Sequence, residues 1–201
     1  MSHNTWIHQA VRVAVRPLVA TRIAPNHITS LRLVTGIAAA VVLAQGDEVW
    51  RYWGAGIFLF SMFLDRADGE LARLSGKMSP RGHMYDLIAD SISNAMAFIG
   101  LGVGLRDGMF GAWAPPMGIV AGAAIAAILL LVVRLEDLHG ARAGELSGLG
   151  WVDPDDAMLI LPFAVWLGGA DWLLLAATIG APGFALFMVA KFRDRLSGAG
   201  S

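Results

Sequence analysis

Four aspartates lie at helical spacing within one stretch, DRADGELARLSGKMSPRGHMYDLIAD, residues 65–90. Asp65 and Asp68 are three residues apart and Asp86 and Asp90 four apart, so each pair projects from one face of a helix. Carboxylates that share a site between apolar runs are costly unless cations neutralise them. Their oxygens suit Mg²⁺ or Mn²⁺, and four of them can hold two ions, the arrangement that assists phosphoryl transfer. The cluster therefore predicts a metal site for a phosphate-bearing substrate.

Small and basic residues alternate with these aspartates. Gly69 and Ala72 follow the first pair and leave room for a bulky group to approach the helix backbone, and Gly82 does the same one turn before Asp86. Arg73 offers a planar guanidinium that binds phosphate through two hydrogen bonds. A single aspartate at a helix end is usually a solvated or capping residue, but this combination favours a site that handles phosphate.

The elements that must position these residues are strongly apolar. Hydrophobic residues make up 56% of the 201-residue chain, above the roughly 45–50% of a typical soluble domain. We therefore interpret the chain as an all-α, polytopic membrane protein with six transmembrane helices. Some runs are shorter than the roughly 20 residues that a span needs, and we expect those helices to continue into their charged flanks. The apolar runs are 31–46, 49–64, 84–105, 112–133, 157–168 and 171–190.

An amphipathic helix is expected before the first span. Apolar residues from Ile7 to Leu18 share one helical face and Arg12 and Arg16 the other, as in a helix that lies in a membrane interface. The arginines interrupt the stretch where a signal peptide needs its apolar core, so we expect no cleavage. The chain then forms one membrane domain, 1–201, with an interfacial helix and linker at 1–27 and a six-helix bundle at 28–195.

Charge distribution predicts the orientation of this bundle. Six spans place both termini on one side, and that side carries every Lys and Arg except Arg51 and Arg106. Basic residues concentrate on the cytosolic side of membrane proteins, so we expect cytosolic termini and a cytosolic aspartate cluster, in an inner (cytoplasmic) membrane. The net charge of −1 gives no basic field for nucleic acid, and the absence of cysteine excludes thiolate metal sites.

The aspartate stretch resembles the sequence motif of the CDP-alcohol phosphotransferase family. In that motif two aspartates precede Gly, Ala and Arg, and after eight intervening residues come Gly and two more aspartates. Every fixed position is present here at the right spacing. The matching residues are Asp65, Asp68, Gly69, Ala72, Arg73, Gly82, Asp86 and Asp90.

The resemblance implies transfer of a phosphoalcohol group from a CDP-alcohol to an acceptor hydroxyl, with release of CMP. It implies metal ligation by the first three aspartates and a general-base role for Asp90, which could also contact a metal. The motif's Gly, Ala and Arg would line the cytidine diphosphate site. Upstream, PNHITSLR resembles another family element and makes Asn26, Thr29 and Arg32 candidate donor-site residues. Family members are commonly homodimers, which we expect here by resemblance only.

The acceptor is less well defined by the sequence. Basic residues suit a phosphorylated acceptor, although each is also an ordinary cytosolic flank; the candidates are Arg134, Arg142, Lys191 and Arg193. Asp155 and Asp156 could bind the ammonium of an amino alcohol or interact with a helix dipole. CDP-diacylglycerol is the simplest donor, because a small membrane chain has lipid access. A CDP-ethanolamine or CDP-choline donor with a lipid alcohol as acceptor uses the same motif.

A divalent-cation channel or transporter is the alternative from a different functional class, since carboxylates within a membrane also mark ion paths. A path would need polar residues through the far halves of the second and third spans, and YWGAGIFLF and SNAMAFIGLGVGL contain almost none. Arg73 beside the cluster would also repel a permeating cation. The sequence therefore favours the enzyme.

Glycine pairs at four-residue spacing predict close helix packing in lipid. The pairs are Gly100/Gly104 and Gly118/Gly122. In a glycine-rich membrane protein such pairs more often serve packing within the chain than a specific dimer face.

Overall fold

The computed structural model describes residues 15–21, 23–139 and 158–196. This part of the chain is helical and contains no strand. Residues 15–19 are helical, and a 3₁₀ turn at Gly111–Trp113 precedes the fourth long helix. The helices are α1 (Pro25–Leu43), α2 (Glu48–Leu74), α3 (Pro80–Gly104), α4 (Ala114–His139), α5 (Ile160–Trp166) and α6 (Ala170–Leu196).

Local sequence explains where α1 and α3 begin. Pro25 and Pro80 occupy their first turns, where proline's fixed φ suits a helix and its missing N–H is not needed. The Ser79 hydroxyl caps α3 by accepting the Gly82 N–H at 3.0 Å. Gly76 adopts a φ of 67° in the turn between α2 and α3, a conformation that other residues rarely adopt.

The helices do not pack in chain order. Helix α1 packs against both α2 and α3, which touch one another only slightly. Helix α4 packs against α3 and α6, and α5 packs against α2. Because the chain reverses between α2 and α3, the end of α2, the start of α3 and the start of α1 meet at the same end of the molecule. The aspartate stretch is there.

Small residues let these helices approach closely. A Cβ at Gly100 would collide with the Ala40 carbonyl oxygen of α1. A Cβ at Gly118 would lie 2.6 Å from the Phe98 carbonyl oxygen of α3. Gly104 and Gly122 make equally close approaches to α1 and α3, so both glycine pairs serve packing within the chain.

Four helical segments are long and apolar enough to cross a membrane: Pro25–Leu43, Pro80–Gly104, Gly111–Leu135 and Ala170–Arg193. Much of their apolar surface is exposed, which suits contact with lipid; Trp113 and Trp172 are exposed at helix ends, where membrane proteins place tryptophan. Helix α2 is equally long but less apolar, because it continues past its apolar run into charged residues up to Leu74, as expected.

The fifth apolar run differs from a complete span. Helix α5 has seven residues, too few to cross a bilayer core of roughly 30 Å, and residues 140–157 before it lie outside the described part. The structure therefore supports a helical membrane protein with four candidate spans, whereas six spans remain a prediction. The predicted interfacial helix falls mostly on residues 1–14, which are also outside the described part.

Candidate active site

Helix α1 connects the two pairs of aspartates. Thr29 and Arg32 lie one turn apart on its buried face, and each is 2% exposed. The Thr29 hydroxyl donates to Asp68 Oδ2 on α2 at 2.7 Å. The Arg32 guanidinium places Nε 3.2 Å from Asp65 Oδ1 on α2 and donates from Nη2 to Asp90 Oδ1 on α3. The polar face of α1 thus links α2 and α3, the two helices that carry the aspartates.

Three of the four aspartates converge. Asp65, Asp68 and Asp86 each offer a carboxylate oxygen, and these oxygens lie within 4.8 Å of one another. Asp86 Oδ1 is buried and has no hydrogen-bond partner. A buried carboxylate oxygen without a donor is unfavourable unless a cation binds it. An all-oxygen set with an unsatisfied member fits a hard divalent cation such as Mg²⁺ or Mn²⁺.

Asp90 lies outside that group of three. Its Oδ1 accepts from Arg32 and also from Asn94 Nδ2 at 2.8 Å, and its side chain is 24% exposed. Its expected role as a further metal ligand stays a prediction.

The predicted donor-site residues surround the cluster. A Cβ at Gly69 would have no atom within 4 Å, so the backbone of α2 is open there. A Cβ at Gly82 would lie 3.4 Å from Asn26 Oδ1, so the starts of α1 and α3 lie close together. Ala72 is partly buried one turn after Asp68.

Arg73 is held by an acidic neighbour. Its side chain is 45% exposed, and Nη1 lies 3.3 Å from Oε2 of Glu70, which is 2% exposed. A half-exposed guanidinium has the planar donor geometry that suits a phosphate.

The predicted acceptor residues are only partly described. Arg134 on α4 and Lys191 on α6 are both exposed. The Lys191 ammonium lies 5.7 Å from the ring centre of Phe187 and 5.8 Å from that of Phe192. Arg142, Asp155 and Asp156 lie outside the described residues, so their roles stay predictions.

The sequence reasoning missed two polar residues at this end. Asn94 follows Asp90 by four residues, a spacing that places both on one helical face. Glu70 precedes Arg73 by three residues in the same way. Helical spacing alone could have identified both, whereas the insertion of Arg32 between Asp65 and Asp90 depends on tertiary packing.

Known proteins with similar sequences are phosphotransferases of one family. The family model described as CDP-alcohol phosphatidyltransferase matches residues 22–181. The bifunctional IPC transferase and DIPP synthase of Rubrobacter xylanophilus is 31% identical over 172 residues, which are 84% of this chain and 34% of that protein. Human cholinephosphotransferase 1 is 31% identical over 99 residues, which are 45% of this chain and 24% of that protein. This chain thus spans about a quarter to a third of these relatives' lengths.

A solved structure shares the fold. The crystal structure of Mycobacterium tuberculosis phosphatidylinositol phosphate synthase with CDP-DAG bound superposes with a TM-score of 0.68 at 20% identity. The match covers 90% of this chain and 94% of that one. Since the family model matches residues 22–181, most of the sequence, this chain belongs to the CDP-alcohol phosphatidyltransferase family.

Proposed function

We propose that this protein is a metal-dependent transferase that moves a phosphoalcohol group from a CDP-alcohol to an acceptor hydroxyl and releases CMP. The observation that carries the proposal is the convergence of Asp65, Asp68 and Asp86, with the buried Asp86 Oδ1 unsatisfied, in a chain of this family. The acceptor oxygen forms a bond to the phosphorus that bears the alcohol. The bond from that phosphorus to CMP breaks, and CMP leaves with its electron pair.

Each part of the cluster has a distinct task. Asp65, Asp68 and Asp86 would hold one or two divalent ions, Mg²⁺ or Mn²⁺, and the Thr29 hydroxyl fixes the orientation of Asp68. Bound divalent ions supply positive charge for the pyrophosphate of the donor and for the departing CMP. Asp90 takes the proton of the acceptor hydroxyl, a contribution that is typically about 10²–10⁴-fold.

The donor nucleotide is assigned to the open surface beside this cluster. The open backbone at Gly69 admits a flat base or ribose, and Arg73 is the candidate phosphate donor at the end of α2. Ala72 and Gly82 are the other small residues assigned to this surface, and Asn26 lies next to Gly82 at the start of α1. Thr29 and Arg32 support the site from beneath through the aspartates rather than from its surface.

CDP-diacylglycerol is the donor that we favour. Four apolar candidate spans give a lipid donor access from the bilayer, and the solved structure with the same fold has CDP-DAG bound. The acceptor is then a small polar alcohol used in phospholipid synthesis, with Arg134, Arg142 and Lys191 as candidate contacts for a phosphate, or Asp155 and Asp156 for an ammonium. The similarity to human cholinephosphotransferase 1 favours a second candidate, a CDP-amino-alcohol donor with a lipid alcohol as acceptor.

We further propose a placement in the membrane. The six-span bundle with an N-terminal interfacial helix, cytosolic termini and a cytosolic site in the inner membrane is supported by the concentration of basic residues at the aspartate end. Residues 1–201 would form one domain, and two copies would form a homodimer.

The test is CMP release by purified protein in detergent or liposomes. The assay supplies Mg²⁺ or Mn²⁺ and CDP-diacylglycerol, and it offers glycerol 3-phosphate, inositol phosphate, inositol and serine one at a time. We expect release that depends on one acceptor and is lost in Asp90→Asn but kept in Asp107→Asn, a control at the opposite end of α3.

The outcomes separate the two donors. Release only with CDP-choline or CDP-ethanolamine and diacylglycerol would replace the favoured donor by the second candidate. A folded protein that releases no CMP from any of these donors contradicts the proposed function.

A further inference from the structure

Asp90 receives two hydrogen bonds on the same oxygen. Arg32 Nη2 reaches Oδ1 from α1, and Asn94 Nδ2 reaches Oδ1 from the next turn of α3 at 2.8 Å. Oδ2 carries neither of these bonds. Since an ionised carboxylate offers lone pairs on both oxygens, the concentration of both donors on Oδ1 leaves Oδ2 as the oxygen that can accept from a substrate.

The two donors are themselves firmly held. Arg32 is 2% exposed and Asn94 6% exposed. The backbone oxygen of Arg32 accepts from Ser61 Oγ of α2 at 2.9 Å, and its guanidinium is also paired with Asp65 at 3.2 Å. Each donor thus comes from a buried side chain on a packed helix, whereas the Asp90 side chain is 24% exposed. The partly exposed Asp90 carboxylate is therefore oriented by two buried hydrogen-bond donors.

We propose that Arg32 and Asn94 are positioning residues that clamp Asp90 Oδ1 and thereby direct Oδ2 at the acceptor hydroxyl. The inference rests on the proposed function. In the transfer step the hydroxyl proton passes to Oδ2 while the acceptor oxygen forms its bond to phosphorus and the bond from phosphorus to CMP breaks. The clamp contributes by orientation, because misplacement of a reacting group by about 1 Å costs about 10²-fold in rate.

Asn94→Leu is the main test, since leucine has a similar size and no donor. We expect kcat to fall about 10- to 100-fold while the KM for the CDP-alcohol stays unchanged. Asn94→Gln keeps an amide donor on a longer stem and recovers part of kcat. The matched control is Ser93→Ala, at the neighbouring buried position of α3, where the hydroxyl has no hydrogen-bond partner; its kcat should equal that of the wild type.

Arg32→Lys tests the other half of the clamp. Alanine there would remove the guanidinium that contacts both Asp65 and Asp90 and would endanger folding, whereas lysine keeps the charge. An ammonium lacks the planar fork that spans two carboxylates, so we expect folded protein with a lowered kcat.

A double-mutant cycle gives a readout that does not depend on activity. Asn94→Leu and Asp90→Ala, alone and combined, are compared by the thermal unfolding temperature in detergent. Residues in contact give non-additive changes, so we expect Asn94→Leu to lower Tm less when Asp90 is already alanine. Additive changes would overturn the contact.

Failure of the clamp can be told apart from failure of the proposed function. An active wild type with normal kcat in Asn94→Leu overturns the clamp alone. A raised donor KM with unchanged kcat also overturns it, because Asn94 would then bind the donor. A wild type that releases no CMP from any donor overturns the proposed function and with it the role of Oδ2.

Discussion

The two ends of the α1, α2 and α3 group are held together in different ways. At the aspartate end, side chains bridge the helices: Thr29 bonds to Asp68, and Arg32 pairs with Asp65 and Asp90. At the opposite end, backbones touch directly. A Cβ at Gly104 of α3 would collide with the Leu43 carbonyl oxygen of α1. A Cβ at Gly54 of α2 would lie 2.9 Å from the backbone nitrogen of the same leucine.

Because of this difference, we expect substitutions at the two ends of these helices to affect different properties, stability at one end and function at the other. Backbone contacts between apolar helices leave no room for added atoms, so substitutions there should act mainly on folding. Bridging side chains leave space between the helices, and that space holds oxygens that a cation can bind. Substitutions at the aspartate end should therefore act mainly on metal binding and catalysis.

The largest effect is expected at the close-packed end. Gly104→Val places a branched side chain where the Leu43 carbonyl oxygen of α1 already lies. The helices must separate, and we expect destabilisation by about 3 kcal/mol, the upper end of the usual overpacking range. The yield of monodisperse protein and the thermal unfolding temperature in detergent measure this.

Gly180→Val on α6 is the matched control for that change, because a Cβ there meets no atom within 4 Å. It should change stability only by the small helix-propensity difference between the two residues, which favours valine. Equal stability of the two variants would show that the close approach of α1 and α3 does not hold the fold.

Removal of a metal ligand should abolish the stabilisation that a bound metal gives without destabilising the metal-free protein. Asp86→Asn replaces a half-buried carboxylate whose buried Oδ1 has no hydrogen-bond partner, so the metal-free protein should be at least as stable as the wild type. Mg²⁺ or Mn²⁺ at about 100 times its Kd should stabilise the wild type by about 2.7 kcal/mol. The variant should gain almost nothing at the same concentration. Thermal unfolding with and without metal, after EDTA treatment, measures both effects.

Asp107→Asn removes a carboxylate at the opposite end of α3, where the side chain is 90% exposed. It should keep the full metal-dependent gain. A wild-type gain that survives in Asp86→Asn would contradict the assignment of Asp86 as a ligand.

A smaller effect is expected where the site has room. Gly69→Val fills open space on α2 and should leave the fold intact. If the nucleotide approaches the backbone there, the KM for the CDP-alcohol should rise about 10-fold, equivalent to about 1.4 kcal/mol. Gly180→Val, with equally open surroundings on α6, should leave KM unchanged. An unchanged KM in Gly69→Val would place the nucleotide elsewhere.

Hydropathy and spacing predicted the helical membrane class and a cluster of all four aspartates, because periodicity determines which residues share a helical face. The structure brings Asp65, Asp68 and Asp86 together, whereas Asp90 lies outside that group of three. The continuation of α2 past its apolar run was also expected. The glycine pairs correctly indicated close packing within the chain.

The order in which helices pack was not predictable in the same way. Nothing in the apolar pattern says that α1 lies between α2 and α3, since every span presents similar apolar surface to its neighbours. The contacts of the Arg32 guanidinium with Asp65 and Asp90 therefore could not be foreseen, and its role at the donor site stays a prediction. The run at 157–168 was already short for a span and was expected to continue into its flanks, whereas the helix described there has seven residues.

The smallest effect is expected at Lys191, which tests whether the polar site extends to α6. Its ammonium is exposed and lies near Phe187 and Phe192, so it could serve packing alone. If it contacts an acceptor phosphate, Lys191→Met should raise the acceptor KM by about 2- to 5-fold, the range of an exposed charge pair. Phe187→Leu removes one ring but keeps the ammonium, and it should leave that KM unchanged. Equal acceptor KM values in both variants and the wild type would show that Lys191 does not contact the acceptor. The acceptor would then bind nearer the aspartates, and the Lys191 ammonium would serve only the packing of α6.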